Sequence, residues 1–261
     1  MLEFLTFIIG LIVGSFLNVC IYRIPRELSI IYPASHCTEC GYNLSWFDLI
    51  PLFSYMGLRG RCRSCGSPIS LRYPLIELLT GIVFLMQYIM YGLTPAFMIY
   101  AFLMSILIVV FFIDLEHMII PNKLVMLAAI AALVVALANA FVPLDIYGDT
   151  RWWNPFLGAL LGSGFLLMVA VLGSLIFNSD EAMGGGDIKL MLPLGLLLGW
   201  RLTILTLFLS VLIAGGVGIL LLALKITSRK SLIPFGPFIV IACFISIMWG
   251  YQIINWYWGI Y

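Results

Sequence analysis

The stretch PAFMIYAFLMSILIVVFFIDLEHMIIPN, residues 95–122, decides the fold. Its first nineteen residues, 95–113, carry no charge, enough for an α-helix to cross a hydrocarbon core of about 30 Å. It then ends abruptly on Asp114, with Glu116, His117 and Pro121 close behind. A helix that crosses a bilayer and stops on a carboxylate raises two questions: how many such helices the chain has, and why the acid stands there.

Comparable runs recur outward in both directions, at about 2–22, 74–92, 123–142, 155–177, 188–200, 202–224 and 237–258. With 95–113 they make eight expected spans, the sixth short and its boundary with the seventh open. The composition agrees: 63% of residues are hydrophobic and 10% charged, with a mean hydropathy of +1.14, whereas about half of a soluble domain is apolar. A helix satisfies its own backbone polar groups in lipid, and the alternating pattern of a membrane β-barrel is absent. The expected class is therefore an all-α polytopic membrane protein. The first run lacks a basic leading segment and a small-residue cleavage site, so it reads as a retained helix. No internal repeat is visible.

The basic residues predict the orientation. With the first loop in the cytoplasm, eight alternating spans put Arg23, Arg26, Arg59, Arg61, Arg63, Arg72, Lys123, Lys189, Lys225, Arg229 and Lys230 on that side. Only Arg151 and Arg201 fall outside, a strong positive-inside bias. Trp152, Trp153, Trp200, Trp256 and Trp258 then lie near the outer interface, as in an aromatic belt. The organisation expected is a first helix at 1–22, a cytoplasmic loop at 23–73 and a helical bundle at 74–261.

The loop holds two C-x-x-C knuckles, Cys37/Cys40 and Cys62/Cys65, separated by 21 residues, near the spacing of four-cysteine zinc sites. Each is followed by a glycine that permits the tight turn such a knuckle needs. Four thiolates close a tetrahedral shell, so the metal would be structural. A disulfide-exchanging pair of knuckles would be expected on an oxidising face, and the arginines place this loop in the reducing cytoplasm. His36 reads as a loop residue, and Cys20 and Cys243, inside apolar runs, as packing residues.

Acids at span ends are costly and therefore candidates for function. Asp114 ends the third span, and Asp187 opens the sixth in GGGDIKL, residues 184–190. Both fall on the same face of the membrane in this topology and can meet between helices. Adjacent carboxylates in a partly apolar site share one proton, so that one serves as general base on water while the other hydrogen-bonds the scissile carbonyl. Gly184, Gly185 and Gly186 would let the backbone take special conformations and a substrate strand approach. The helix is expected to break near Pro121. From the residues alone, capping of a helix by Asp187, or pairing with a lysine, stays open beside catalysis. Glu77 is either paired with a cation such as Arg72 or lines a polar pocket. Glu116, His117, Asp180 and Glu181 are near enough to contribute but read as solvated, with His117 a candidate proton acceptor. Glu3, Asp145 and Asp149 read as ordinary solvated charges.

Taken in order, GSFLNVCIYRIPR at 14–26, the paired knuckles, SPISLRYPLIELLTG at 67–81, IDLEHMIIPN at 113–122 and GGGDIKL resemble the type IV prepilin peptidases, membrane aspartic proteases of pilus and type II secretion systems. The likeness covers nearly the whole chain. It implies eight spans with an active site at the cytoplasmic face of the bacterial inner membrane. It maps the catalytic aspartates onto Asp114 and Asp187 and the zinc ligands onto Cys37, Cys40, Cys62 and Cys65. It also implies the substrates: prepilins or pseudopilins, embedded in lipid by a hydrophobic helix, whose short basic leader is cut off, typically after a glycine. Many members then methylate the new N-terminal amine with S-adenosylmethionine. No glycine-rich turn after a strand places that cofactor. Asn18, Arg23, Arg72, Tyr73 and Glu77 are polar residues of the matching motifs whose roles the resemblance leaves open, and no nucleic-acid partner is expected.

Two other classes share some of these features. A presenilin-like protease that cuts inside a transmembrane segment would use the aspartates but has no need of the four-cysteine loop. A transporter using Asp114 and Asp187 as an ion or proton relay would place them near the midplane and commonly shows repeat symmetry.

Overall fold

The computed structural model describes residues 1–142, 144–149, 151–177, 184–226 and 233–258. They form eight α-helices: α1 (Leu2–Arg23), α2 (Phe53–Gly57), α3 (Arg72–Tyr91), α4 (Pro95–His117), α5 (Asn122–Phe141), α6 (Asn154–Phe177), α7 (Gly185–Ala223) and α8 (Gly236–Trp258). All but α2 are long and apolar enough to cross a membrane, so the protein is a multi-pass membrane protein. Among the described residues the only β-pairing is two isolated bridges, His36 with Asn43 and Arg61 with Pro68. Arg229, Lys230, Asp180 and Glu181 lie outside the described residues, as does the side chain of Trp258.

The chain divides into two compact units, Met1–Val109 and Val110–Tyr261. In the first, α1 and α3 pack antiparallel through small residues. A Cβ added to Gly10 would lie 2.7 Å from the Cα of Gly81, and one added to Gly14 would lie 2.7 Å from the Cα of Glu77. Without side chains in the way, the backbones approach closely, the packing that substitutes for a hydrophobic drive in lipid. Asn18 ties the pair at one end, donating from Nδ2 to the Tyr73 carbonyl at 3.1 Å. Farther along α3, Phe84 meets Phe97 of α4 edge-on, with ring centroids 6.4 Å apart.

In the second unit α7 resolves the boundary left open between the sixth and seventh spans. Its 39 residues include one with non-helical geometry, Gly199, at φ 70° and ψ 172°. A Cβ added to Gly162 of α6 would lie 3.0 Å from the Thr203 side chain and 3.1 Å from the Met191 carbonyl. In an unbroken helix those two residues would stand about 18 Å apart. The chain therefore folds back at Gly199: 185–198 runs antiparallel to α6 and 200–223 runs parallel to it. The first arm is only about 21 Å long, short for a crossing.

Asn154, fully buried at the head of α6, holds this reversal. Its Nδ2 donates to the Tyr147 carbonyl at 3.2 Å and to Asp149 Oδ1 at 2.7 Å, and its Oδ1 accepts from the Trp200 amide at 3.0 Å. Tyr147 donates its hydroxyl to the Leu196 carbonyl at 3.0 Å. Only glycine adopts the Gly199 backbone conformation readily, and any Cβ there would collide with Asn154. Asp149 is thus a partner inside this network rather than a solvated charge.

Candidate active site and four-cysteine cluster

Asp114 sits in the last turn of α4 and Asp187 in the first turn of α7. The break between α4 and α5 falls where the proline demands it: Met118 takes a left-handed conformation at φ 54°, and α5 begins immediately after Pro121. The intervening Ile120 side chain touches both glycine-marked corners of the site. A Cβ on Gly186 would lie 3.0 Å from Ile120 Cβ, and one on Gly236 would lie 3.4 Å from Ile120 Cδ1.

Both carboxylates are buried, at 5% and 6% exposure, and they lie within electrostatic reach of each other. The Gly236 amide, at the start of α8, donates to the Asp114 carboxylate. The Asp187 Oδ1 has no hydrogen-bond partner among the described residues. The N-cap of α7 is Gly184, with Asp187 at the third helical position and its amide bonded to the Gly184 carbonyl at 3.1 Å. Lys189 reaches Asn122 Oδ1 at 3.3 Å instead of the aspartate. The structure thus favours neither bland reading of Asp187, as a helix cap or as a lysine partner. A buried carboxylate oxygen with no donor is costly unless something beyond the described residues, such as a bound substrate, meets it.

The glycines before Asp187 serve the site through absent volume more than through special conformation. Gly184 has an extended backbone, and Gly185 and Gly186 are helical. A Cβ on Gly184, however, would sit 2.8 Å from Asp187 Oδ2, and a Cβ on Gly186 would press on Ile120. Gly236 is the residue sequence reasoning missed: a Cβ there would lie 2.5 Å from Asp114 Oδ2. Its signal is PFGP at 234–237, a glycine between prolines at the head of an apolar run. Glu116 and His117 face each other at 4.0 Å at the end of α4, both partly exposed.

In the first unit the four expected cysteines converge. The ligand atoms of Cys37, Cys40, Cys62 and Cys65 all lie within 4.8 Å of one another, a set that could hold a metal ion. The two knuckles are built alike. Cys37 and Cys62 each accept from a glycine four residues on, Gly41 at 2.9 Å and Gly66 at 3.0 Å, and those glycines take φ of 72° and 74°. The sulfurs of Cys37 and Cys65 are 3.9 Å apart, and those of Cys40 and Cys62 are 4.0 Å apart. A tetrahedral shell with Zn–S bonds of about 2.3 Å has edges of about 3.8 Å, so the donor set fits zinc.

Charge points the same way. The amides of Cys40 and Glu39, with the Ser67 hydroxyl, lower Cys37 to about 6, and Ser67 also lowers Cys65. At Cys40 the Tyr42 amide likewise lowers, but desolvation and the three neighbouring sulfurs outweigh it and hold the thiol at about 11. Four thiolates coexist here only if a cation takes their charge. His36 stays out of the cluster, its Nδ1 3.0 Å from the Ala34 carbonyl. Glu77, buried in α3, accepts from the Leu52 amide at 2.9 Å.

Two family models match the chain: Bacterial Peptidase A24 N-terminal domain over residues 8–91, and Type IV leader peptidase family over residues 101–219. A Myxococcus xanthus protein named prepilin leader peptidase/N-methyltransferase is 39% identical over 83% of this chain and 62% of its own length. Proteins of the same name from Aeromonas hydrophila and Bacillus subtilis are each 34% identical, covering 97% and 96% of this chain and 92% and 96% of their own. No solved structure gives a significant match. On the strength of relatives that it matches nearly end to end, the chain belongs to the type IV leader peptidase family.

Proposed function

We propose that this chain cleaves the leader from prepilin or pseudopilin substrates, with Asp114 and Asp187 as the catalytic pair, and methylates the new N-terminus. The activity follows from the family, whose named relatives are prepilin leader peptidases and N-methyltransferases. The observation that carries the residue assignment is the pairing itself. Two buried carboxylates on separate helices interact, one oxygen lacks a partner among the described residues, and two glycines, Gly184 and Gly236, keep side chains off them.

The chemistry follows from that arrangement. The pair holds one proton between its two carboxyl groups. The ionised member draws a proton from water as the water attacks the scissile carbonyl. The protonated member donates to the carbonyl oxygen, then a proton passes to the departing amine as the carbon–nitrogen bond breaks. Gly236 holds Asp114 through its amide, and the space left open at Gly185 leaves the backbone beside Asp187 accessible to a substrate strand. Both acids stand at helix ends, where a lipid-embedded substrate helix would present its junction with a basic leader. A relay through the membrane would call for carboxylates near the midplane.

Cys37, Cys40, Cys62 and Cys65 would hold one Zn2+ in a closed shell, fastening the 23–73 module without taking part in the cut. S-adenosylmethionine would supply the methyl group; no residue is assigned to hold it. The excess of arginine and lysine on one side, with α7 folding back to give eight alternating segments, supports an active site facing the cytoplasm from the inner membrane.

The assignment is tested by assaying Asp114→Asn and Asp187→Asn against a prepilin in detergent. Each is expected to lose cleavage on the order of a thousand-fold while keeping its fold and its zinc. Near-full cleavage by either variant would overturn it.

A further inference from the structure

The four-cysteine module carries a face that water does not suit. Residues 46–57, WFDLIPLFSYMG, hold a single charge, Asp48. That carboxylate is covered, bound by Arg63 Nε at 2.9 Å and by the Ser45 amide at 3.2 Å. The apolar side chains of the segment are bare: Trp46 is 77% exposed, Phe53 67% and Met56 73%. Contiguous exposure of this kind in an aqueous loop marks an interaction surface.

The partner is indicated by where the segment lies. Trp46, Leu49 and Phe53 face Ile8, Leu11 and Ile12 of α1 across a groove of about 250 Å³. Ile12 and Ile8 stand about 16 and 22 Å along the helix axis from Arg23, well inside a membrane-crossing helix. On α1 the apolar face continues past the groove through Leu5 and Phe16, both exposed. Helix and segment therefore present one continuous surface. The backbone of the segment is also prepared for a medium without water. Ser54 and Met56 donate within the segment, Asp48 donates to the Ser45 carbonyl just before it, and Leu52, bent to φ 61°, donates to Glu77 of α3 at 2.9 Å. Irregular backbone survives at membrane depth only when its polar groups find protein partners in this way.

We propose that residues 46–57 are a membrane-inserted segment of the four-cysteine module, with Trp46, Phe53 and Met56 in the acyl-chain region of the bilayer beside α1. Glu77 anchors the segment at Leu52, and Arg63 pairs the one charge that the segment carries. The module is thereby seated on the bilayer by lipid contact in addition to its two flanking helices.

Full-length protein in phosphatidylcholine and phosphatidylglycerol vesicles tests this, with acyl chains either plain or brominated. The emission of Trp46 is read as wild type minus Trp46→Phe. Phe53→Trp in the Trp46→Phe background reads the same surface from a second position. Both are expected to be quenched about two-fold or more by bromine on the chains and little by aqueous iodide, as for an indole held in the membrane. Quenching by iodide and not by bromine would overturn the proposal and return the segment to water. Indifference to both would also overturn it, and would assign the face to a protein partner such as the substrate's apolar helix.

Discussion

The backbone amide of Gly236, the first residue of α8, donates to the carboxylate of Asp114 in the last turn of α4. The bond requires that nothing project from residue 236, where an added Cβ would lie 2.5 Å from Asp114 Oδ2. Gly236→Ala is therefore expected to displace the carboxylate and lower cleavage by about ten- to a hundred-fold, the scale of a sub-ångström to ångström misplacement of a reacting group. Zinc content should stay at the wild-type level. A rate within two-fold of wild type in a steady-state cleavage assay would show that this contact does not position the acid.

The reversal of α7 depends on Asn154 and Gly199 together. Asn154→Ala removes three hydrogen bonds and strands buried partners, which should cost about 3 kcal/mol. Gly199→Ala adds backbone strain and a collision with Asn154, and should destabilise at least as much. Unfolding midpoints in detergent, measured on both single variants and the double, check this. Because the residues share one contact, the double should fall well short of the sum.

Metal removal should act on stability before chemistry. Elemental analysis is expected to find one zinc per chain, lost in a Cys37→Ser/Cys62→Ser variant, with a loss of stability on the order of several kcal/mol. Protons compete with the metal for each thiolate, so affinity should fall as pH drops. It should fall more steeply below about 6, where Cys37 also keeps its proton. A zinc affinity flat from pH 8 to pH 5 would contradict the assignment.

Glu77 accepts from Leu52 twenty-five residues away, and the two should be separable by substitution. Glu77→Gln retains a carbonyl acceptor and should cost little, whereas Glu77→Leu leaves the Leu52 amide without a partner and should cost about 2 kcal/mol. Hydrogen exchange at residues 52–57 should rise in the leucine variant only.

What was legible in the sequence follows physical lines. Apolar runs near twenty residues long, with at most one charge each, announced α1, α3, α4, α5, α6 and α8 to within a few positions, because a bilayer imposes both length and composition. Asp114 and Asp187 stood out because a charge at the end of such a run needs a reason. The knuckles announced themselves through spacing and through glycines that the turns do use. The rest depends on contacts between distant residues. LLLGWRL at 196–202 has no polar linker, since Asn154 of α6 supplies the turn's hydrogen bonds, so the fold-back at Gly199 was blurred into an uncertain boundary. Gly236 could not be tied to Asp114 without the packing of α8, and nothing in 46–57 signals its place beside α1. Of the glycines of GGGDIKL, Gly184 and Gly186 leave room for Asp187 and Ile120 rather than supplying unusual backbone angles.

The central claim is that Asp114 and Asp187 together cut a prepilin leader. Its most direct test is intact mass spectrometry of a purified prepilin incubated in detergent with this protein and S-adenosylmethionine, beside Asp114→Asn and Asp187→Asn. With wild type the substrate should lose the mass of its leader and gain that of one methyl group, and with either variant, folded and zinc-loaded, it should keep its leader. Leader removal by either asparagine variant at the wild-type rate would contradict the account.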